Sequence, residues 1–175
     1  MHDESVWIAK AKEGSEKAFR RLYTDHVSPL YRFLKQFSTR DEEVEEWVQR
    51  AFMKAFEHLG TFDGRSRFST WLFTLGINEM KMDRRRAKLV SFIPLDDEAD
   101  SEEDAPDAFE WKHTMKAWMV QLDDTKRAVF ILYEVEGYTH AEIGAMLGIA
   151  ESSSRTLLSR AKRYLQVQWT KELGT

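Results

Sequence analysis

Six polar side chains near the carboxyl end of the chain fall on one face of a predicted helix that begins at about Glu151. They are Ser152, Arg155, Thr156, Ser159, Lys162 and Arg163. Cations of this kind neutralise phosphates, and short hydroxyl side chains can approach the edges of bases. The pattern therefore predicts a helix that enters the major groove of DNA. Because a basic helix face is often only solvated, plain helical packing stays an alternative for this segment.

A second polar face lies on a helix predicted from about Phe68 to Ala87. At 100° per residue, one side of this helix carries Arg67, Trp71, Thr74, Asn78, Lys81 and Arg85. An aromatic ring stacks on an unpaired base, an amide reads a base edge, and cations follow the phosphate backbone. The combination is typical of proteins that hold a nucleic-acid strand with unstacked bases. In the alternative interpretation, Trp71 lies at the edge of the core and the charges only contact solvent.

The loop before that helix is short and polar, with Asp63, Gly64, Arg65 and Ser66 in succession. A protein that takes a base out of its stack must hold that base in a fitted pocket. The loop is therefore a candidate for the rim of a pocket that holds a flipped base.

A helix-turn-helix must position the first of these faces. Thr139 and Glu142 form a predicted capping box, in which each side chain bonds a free backbone N–H, so a helix should begin there. Gly148 permits the positive φ that ends this helix, and Ile149 fills the corner before the second one. The buried side of the two helices is expected to consist of Ile143, Met146, Leu147, Ser154, Leu158, Ala161 and Leu165.

Long 3.6-residue periods and only three prolines predict an all-α protein. In the first half, Ser15 should cap one helix, and a capping box of Thr39 and Glu42 should start another that Gly60 ends. A second, smaller bundle should hold the helix-turn-helix, after a helix that Asp123 caps. The core side of the helix from Phe68 is expected to consist of Phe68, Leu72, Leu75 and Met82.

The stretch between the bundles is acidic and poor in apolar residues. Residues 91–111 hold nine Asp and Glu and no Lys or Arg, so the rest of the chain is basic although the whole carries a net charge of −4. Such a stretch buries too little apolar surface to offset the entropy of ordering it. We therefore predict two small helical bundles, residues 1–90 and 111–175, joined by a flexible acidic linker, residues 91–110.

Composition excludes several classes of site and protein. The chain has no cysteine and its five histidines lie far apart, so disulfides and metal sites are not expected. No nucleophile–base pair or phosphate-binding loop is present, and we expect neither an enzyme, a cofactor nor a small-molecule substrate. No apolar run is long enough to cross a membrane and the amino terminus lacks a signal peptide, so we expect a cytoplasmic protein without membrane insertion.

Three sequence blocks, VEEWVQRAFMKAFEHL, FDGRSRFSTWLFTLGINE and YTHAEIGAMLGIAESSSRTLLSRAKRYL, resemble those of the extracytoplasmic function (ECF) sigma factors, which have only regions 2 and 4 of the sigma-70 family. The resemblance covers about residues 16–165. It implies that residues 1–90 are region 2, which binds the β′ clamp helices of core RNA polymerase and melts the −10 element of promoter DNA. Residues 111–175 would be region 4, which binds the −35 element and the β flap. Many such proteins also bind an anti-sigma factor, which is a further partner that the resemblance allows.

Combined with the two polar faces, the resemblance assigns residues to each contact. The residues that match the polymerase-binding segment are Glu43, Glu45, Glu46, Gln49 and Arg50. The residues assigned to the −10 element are Asp63, Arg65, Arg67, Trp71, Asn78, Lys81, Arg84, Arg85 and Arg86. The residues assigned to the −35 element are Ser152, Ser153, Arg155, Thr156, Ser159, Arg160, Lys162 and Arg163.

Several positions depart from the usual pattern of the family. Arg50 stands where the family usually has an acid, and Trp47 where it usually has leucine. Met82 replaces a frequent aspartate or asparagine, with Asp83 displaced by one residue. Ser154 lies on the buried side of the second helix, where valine is common and an apolar residue would pack better. These changes concern individual contacts and leave the class unchanged.

Two other functions stay open at this point. A two-domain helix-turn-helix regulator would bind duplex DNA without polymerase, and a sigma-like decoy would bind polymerase or an anti-sigma factor without driving a promoter. The acidic linker also has two interpretations. It is either a solvated tether or a negatively charged segment that occupies a basic channel of polymerase.

Overall fold

The computed structural model describes residues 4–90 and 110–173, with side chains for 4–87 and 115–172. Every regular element in the described residues is a helix and none is a strand, so the predicted all-α class is confirmed. The chain divides into two compact units, Met1–Arg84 and Arg85–Thr175. Within the two described ranges, no helix combines the length and the apolar character that crossing a membrane requires. The acidic linker proposed for residues 91–110 lies, except for Glu110, outside the described residues.

The elements from Glu4 to Val90 are α1 (Glu4–Lys12), α2 (Glu16–Leu34), α3 (Asp41–Glu57), a 3₁₀ turn (Leu59–Thr61) and α4 (Phe68–Val90). Helix α1 was not predicted from the sequence, because its apolar residues form no clear stripe. Polar contacts hold both of its ends. His26 Nε2 lies 2.7 Å from Glu4 Oε1, and Lys12 Nζ donates to the carbonyl of Phe62 at 2.6 Å. Helix α1 therefore lies against both α2 and the segment that precedes α4.

Helix α2 begins where predicted, because Ser15 Oγ accepts a hydrogen bond from the backbone N of Ala18 at 3.4 Å. The helix runs through Pro29 without a break. Its buried side contacts α4 through Phe33, whose ring centroid lies 5.2 Å from that of Phe73. The largest fully buried side chains of this unit are Leu22, Leu30, Phe33, Leu34, Trp47, Leu59, Phe68, Leu72, Phe73, Ile77 and Met80. They form one contiguous core that fixes α4 against α2 and α3.

The predicted limits of α3 are wrong at both ends. The helix begins at Asp41 without a side-chain cap, so the capping box of Thr39 and Glu42 does not form. Instead, the Asp41 carboxylate bonds Tyr31 Oη at 2.7 Å and Lys35 Nζ at 2.5 Å, and Lys35 also donates to the carbonyl of Thr39. These contacts, the Lys35 bond first, lower the pKa of Asp41 and place the start of the helix one residue later.

The end of α3 lies at Glu57, before the predicted stop at Gly60. The 3₁₀ turn over Leu59–Thr61 follows and buries Leu59 in the core. Gly60 therefore lies inside this turn and does not adopt the positive φ of a left-handed cap.

The buried side of α4 differs in part from the predicted one. Phe68 and Leu72 are buried as predicted, whereas Leu75 is half-buried and Met82 is exposed. The remaining core residues of α4 are Phe73, Ile77 and Met80. Both α2 and α3 pack on this helix, so its buried surface is wider than a single apolar stripe. On the side towards α3 it also includes Glu79, a buried carboxylate that apolar periodicity cannot detect.

The elements from Glu110 to Leu173 are α5 (Glu110–Gln121), α6 (Asp124–Phe130), a π-helical turn (Ile131–Val135), α7 (His140–Leu147) and α8 (Glu151–Leu173). Asp123 caps α6 as predicted, since its carboxylate accepts from the backbone N of Lys126 at 2.9 Å. The buried Arg127 donates to the carbonyls of Val120 and Leu122 at 2.7 and 3.0 Å. Arg127 thereby satisfies carbonyl groups at the end of α5.

Helices α7 and α8 form the predicted helix-turn-helix. The capping box is present, with Glu142 N donating to Thr139 Oγ1 at 3.3 Å and Thr139 N donating to Glu142 Oε2 at 2.8 Å. Gly148 ends α7 with a φ of 70°. The turn lies very close to α7, because Ile149 N donates to the carbonyl of Gly144 at 2.9 Å. A Cβ atom added at Gly144 would lie 2.8 Å from the carbonyl oxygen of Ile149.

Candidate nucleic-acid interface

The predicted strand-binding residues share one side of α4 and of the residue that precedes it. The exposed or half-buried residues on this side are Arg67, Trp71, Thr74, Asn78, Lys81 and Arg85. The ring of Trp71 packs against Phe62, with centroids 5.1 Å apart and 37° between the planes, and against Phe68 at 5.9 Å. Trp71 therefore lies at the edge of the core and still presents part of its ring to solvent. One surface thus carries an aromatic ring, an exposed amide and cations.

The loop before α4 forms a polar rim next to this surface. Asp63 accepts hydrogen bonds from the backbone N of Arg65 at 3.1 Å and from its Nε at 2.5 Å. The backbone bond is the largest cause of the lowered pKa of Asp63. A cavity of about 360 Å³ lies between residues 62–68 and α1. Helix α1, which the sequence analysis missed, thereby forms one wall of the candidate base-binding pocket.

The three arginines near the end of α4 do not point the same way. The guanidinium of Arg84 is partly buried and donates to the carbonyl of Phe37, just after α2. Arg85 and Arg86 are exposed. Arg84 therefore anchors α4 within the first unit, whereas Arg85 and Arg86 extend the cationic surface.

Helix α8 presents all the residues predicted to contact duplex DNA at its surface. The exposed set is Ser152, Ser153, Arg155, Thr156, Ser159, Arg160, Lys162 and Arg163. Two of these cations are paired with carboxylates. Arg155 bonds Glu151 one turn earlier, and Lys162 Nζ lies 2.5 Å from Glu134 in the π-helical turn.

A buried polar pair lies between α7 and α8. Ser154 is fully buried, and its Oγ lies 2.9 Å from His140 Nδ1. His140 is also buried, and its ring stacks on Tyr133 with centroids 4.4 Å apart. The expectation that an apolar residue would pack better at position 154 did not take this contact into account, since such a residue would remove the hydrogen-bond partner of His140.

The variant Ser154→Val is expected to lower the free energy of unfolding of the second unit by about 1–3 kcal/mol, the cost of leaving a buried polar group without its partner. Urea unfolding followed by circular dichroism measures this difference. Ser153→Val is the matched control, because Ser153 is the exposed neighbour on the same helix. Equal stability of the two variants would show that the buried pair contributes nothing.

Helix α3 presents four of the five predicted polymerase-binding residues at or near its surface. These are Glu43, Glu45, Glu46 and Gln49. Arg50 extends towards α4 instead, where its Nε lies 3.2 Å from Glu79 and its Nη2 lies 2.5 Å from Asp83. A groove of about 850 Å³ runs between α2 and α3, and its lining includes the exposed apolar surface of Tyr23 and Met53.

Family comparisons match both halves of the chain. Residues 22–90 match the model for sigma-70 region 2, and residues 117–165 match a model for sigma-70 region 4. Together the two models match more than half of the chain. The first match contains α3, the loop and α4, and the second contains α7, the turn and α8 as far as Leu165.

Characterised relatives match along nearly their full length. The ECF RNA polymerase sigma factor SigW of Bacillus subtilis is 26% identical over 176 residues, which cover 92% of this chain and 94% of SigW. The RNA polymerase sigma factor CarQ of Myxococcus xanthus is 26% identical over 163 residues, with coverage of 91% and 93%.

Two solved structures have a similar fold. The structure of CnrH in complex with the cytosolic domain of CnrY superposes with a TM-score of 0.69 at 23% identity, covering 95% of this chain and 96% of CnrH. The sigma factor RpoE of Bartonella quintana, in complex with the anti-sigma factor NepR, gives a TM-score of 0.72 at 23% identity, with coverage of 88% and 98%. With both regional models matched in order, the chain belongs to the sigma-70 family, as a sigma factor of the ECF group.

Proposed function

We propose that this chain directs bacterial RNA polymerase to promoters. In this proposal residues 1–90 act as region 2, residues 91–110 as an acidic linker and residues 111–175 as region 4. The observation that carries the proposal is the pair of exposed, cation-bearing helix faces, one on α4 and one on α8. A promoter-specificity subunit needs two such faces because it contacts two separate promoter elements. The protein acts in the cytoplasm by binding alone, without catalysis. A regulator that works without polymerase is not favoured, since both matched models describe sigma-70 regions, and a decoy is not favoured, since SigW and CarQ are RNA polymerase sigma factors.

In the proposed mechanism, α4 captures unstacked bases of the −10 element. The exposed part of Trp71 provides a stacking surface, Asn78 reads a base edge, and Arg85 neutralises the backbone. Unstacking costs a few kcal/mol per step, and stacking on an aromatic side chain returns about 1–3 kcal/mol per base. The cavity between α1 and the loop, with Asp63 and Arg65 at its rim, receives a flipped base.

In the same mechanism, α8 enters the major groove of the −35 element. Its serines and threonine approach base edges, and its cations neutralise phosphates on both sides of the groove. Arg155 and Lys162 must leave Glu151 and Glu134 to do so. The −35 contact is therefore expected to be weak without polymerase.

The surface of α3 is the proposed polymerase-binding site, with Glu45, Glu46 and Gln49 at its centre. The adjacent apolar groove between α2 and α3 extends this surface, because Tyr23 and Met53 expose apolar area that a partner would cover. Since both solved relatives named above are bound to another protein, one of them an anti-sigma factor, we also propose an anti-sigma factor as a partner of this chain.

The variant Asn78→Ala tests the proposed function. Loss of one amide contact to a base costs about 1–3 kcal/mol, so promoter-specific run-off transcription should fall by roughly 5- to 150-fold. The template is a promoter mapped from the transcripts that the protein induces when overexpressed. Affinity for core polymerase, measured by fluorescence anisotropy, should stay unchanged.

Gln36→Ala is the matched control, because Gln36 is an exposed amide of the first unit outside both proposed interfaces. This variant should transcribe as the wild type does. Open-complex formation by Asn78→Ala at the wild-type level would contradict the assignment of α4 to the −10 element. Failure of the wild-type protein to bind core polymerase would contradict the proposed function itself.

A further inference from the structure

Three polar side chains, Trp47, Arg50 and Asp83, meet at one point between α3 and α4. The carboxylate oxygen Oδ2 of Asp83 accepts hydrogen bonds from Trp47 Nε1 at 2.7 Å and from Arg50 Nη2 at 2.5 Å. Both donors come from α3, and their shared acceptor comes from α4. The Asp83 carboxylate therefore joins both donors of α3 to α4.

A second carboxylate of α4 extends this arrangement. Glu79 is 3% exposed, and its two oxygens lie 3.2 Å from Arg50 Nε and 2.5 Å from Lys54 Nζ. Arg50 also lies 3.7 Å from Glu46, on the exposed side of α3. The network thus matches two cations of α3 with two carboxylates of α4. Removing one member leaves a charge of the opposite sign partly buried, which is costly.

The position of the network on α4 relates it to the DNA-binding surface. Glu79 and Asp83 lie one helical turn apart and both face α3. Asn78 directly precedes Glu79, so its side chain points about 100° away around the same helix. Any rotation of α4 against α3 therefore moves Asn78 and the other residues of the proposed −10 surface.

We propose that Arg50 and Asp83 are positioning residues for −10 recognition, which hold α4 in the rotation that presents Asn78 to the melted strand. This inference rests on the proposed function and revises the assignment of Arg50 to polymerase binding. Through Glu46, the network also connects the polymerase-binding surface of α3 with the DNA-binding surface of α4.

The test uses full-length protein and core polymerase, with Asp83→Ala as the first variant. The probe is the single-stranded −10 segment of the non-template strand from the mapped promoter. Coupling in such networks is about 0.5–3 kcal/mol, so holoenzyme affinity for the probe should fall by roughly 2- to 150-fold. Affinity for core polymerase should change by less than about 2-fold. Asp83→Asn keeps an acceptor for Trp47 and serves as a second variant if Asp83→Ala unfolds.

A double-mutant cycle with Arg50→Met separates positioning from independent effects. If the two residues act as one unit, the double variant binds the probe no more weakly than the weaker single variant. Three results would each overturn the inference. The first is a double variant whose loss of probe affinity equals the product of the two single losses. The second is a loss of core-polymerase affinity in Asp83→Ala as large as its loss of probe affinity, and the third is unchanged probe affinity in both Asp83 variants. In the last case, wild-type promoter opening would still support the proposed function, so the two failures are distinguishable.

Discussion

Replacement of Trp47 by alanine is expected to lower the free energy of unfolding of the first unit by about 3–5 kcal/mol, the usual cost of truncating a buried tryptophan. Trp47 is 1% exposed and is among the largest fully buried side chains of the core. Its removal also takes one hydrogen-bond donor from Asp83. Since the total free energy of unfolding of a small domain is about 5–15 kcal/mol, this loss should remove a large part of the stability of the unit. Urea unfolding followed by circular dichroism, with hydrogen exchange of the α3 amides, measures it.

The variant Trp47→Phe separates the two contributions. Phenylalanine retains most of the buried ring but cannot donate to Asp83, which keeps its bond to Arg50. A smaller loss of about 1.5–3 kcal/mol is expected, because the lost hydrogen bond involves a charged acceptor. If Trp47→Phe were as stable as the wild type, the bond to Asp83 would have no role in stability.

The second large effect is expected for Gly144→Ala in the helix-turn-helix. The new methyl group would lie 2.8 Å from the carbonyl oxygen of Ile149, which is backbone and cannot rotate away. The turn is also tied to Gly144 by the bond from Ile149 N. Overpacking of this kind costs about 1–3 kcal/mol, and it should move α8 away from α7. Thermal unfolding and binding of the holoenzyme to −35 duplex DNA should therefore both be impaired.

Gly60→Ala is the matched control for this prediction. Gly60 has no atom within 4 Å of the added Cβ position and does not have a positive φ. The same change there should alter stability by about 0.5 kcal/mol or less. If Gly144→Ala were as stable as the wild type and bound −35 DNA as tightly, the turn would adjust to the added methyl group without cost.

Much of the second unit could be predicted because its signals are local. The capping box of Thr139 and Glu142, the left-handed Gly148 and the cap at Asp123 each involve residues within a few positions of one another. Such motifs can be read directly from the order of residues. The exposed face of α8 followed from the same helical period.

Elements that depend on distant residues could not be predicted in the same way. The start of α3 is set by Tyr31 on α2 and by Lys35 directly after it, which reach Asp41 only after the two helices pack. Helix α1 is held by contacts to His26 and Phe62. Both depend on tertiary contacts that helix periodicity does not contain.

The candidate site shows the same distinction between local and distant signals. Trp71 and Asn78 were placed correctly on one face because helical geometry alone determines their relation. The roles of Arg50 and Ser154 were not predictable, since each depends on a partner on another helix, the half-buried Asp83 and the buried His140 respectively. A buried polar pair resembles an isolated departure from the family pattern until both of its members are located.

The ion pairs of Arg155 and Lys162 on α8 should change how strongly DNA binding by this helix depends on salt concentration. Ordinary phosphate contacts gain affinity by releasing condensed counterions, with a salt slope of about −0.9 per contact on duplex DNA. To bind a phosphate as proposed, Lys162 would have to leave Glu134, and the released carboxylate would then attract sodium or potassium from solution. The net number of ions released is therefore smaller than the number of contacts suggests. Such an exchange should shorten the lifetime of non-specific complexes between the protein and genomic DNA.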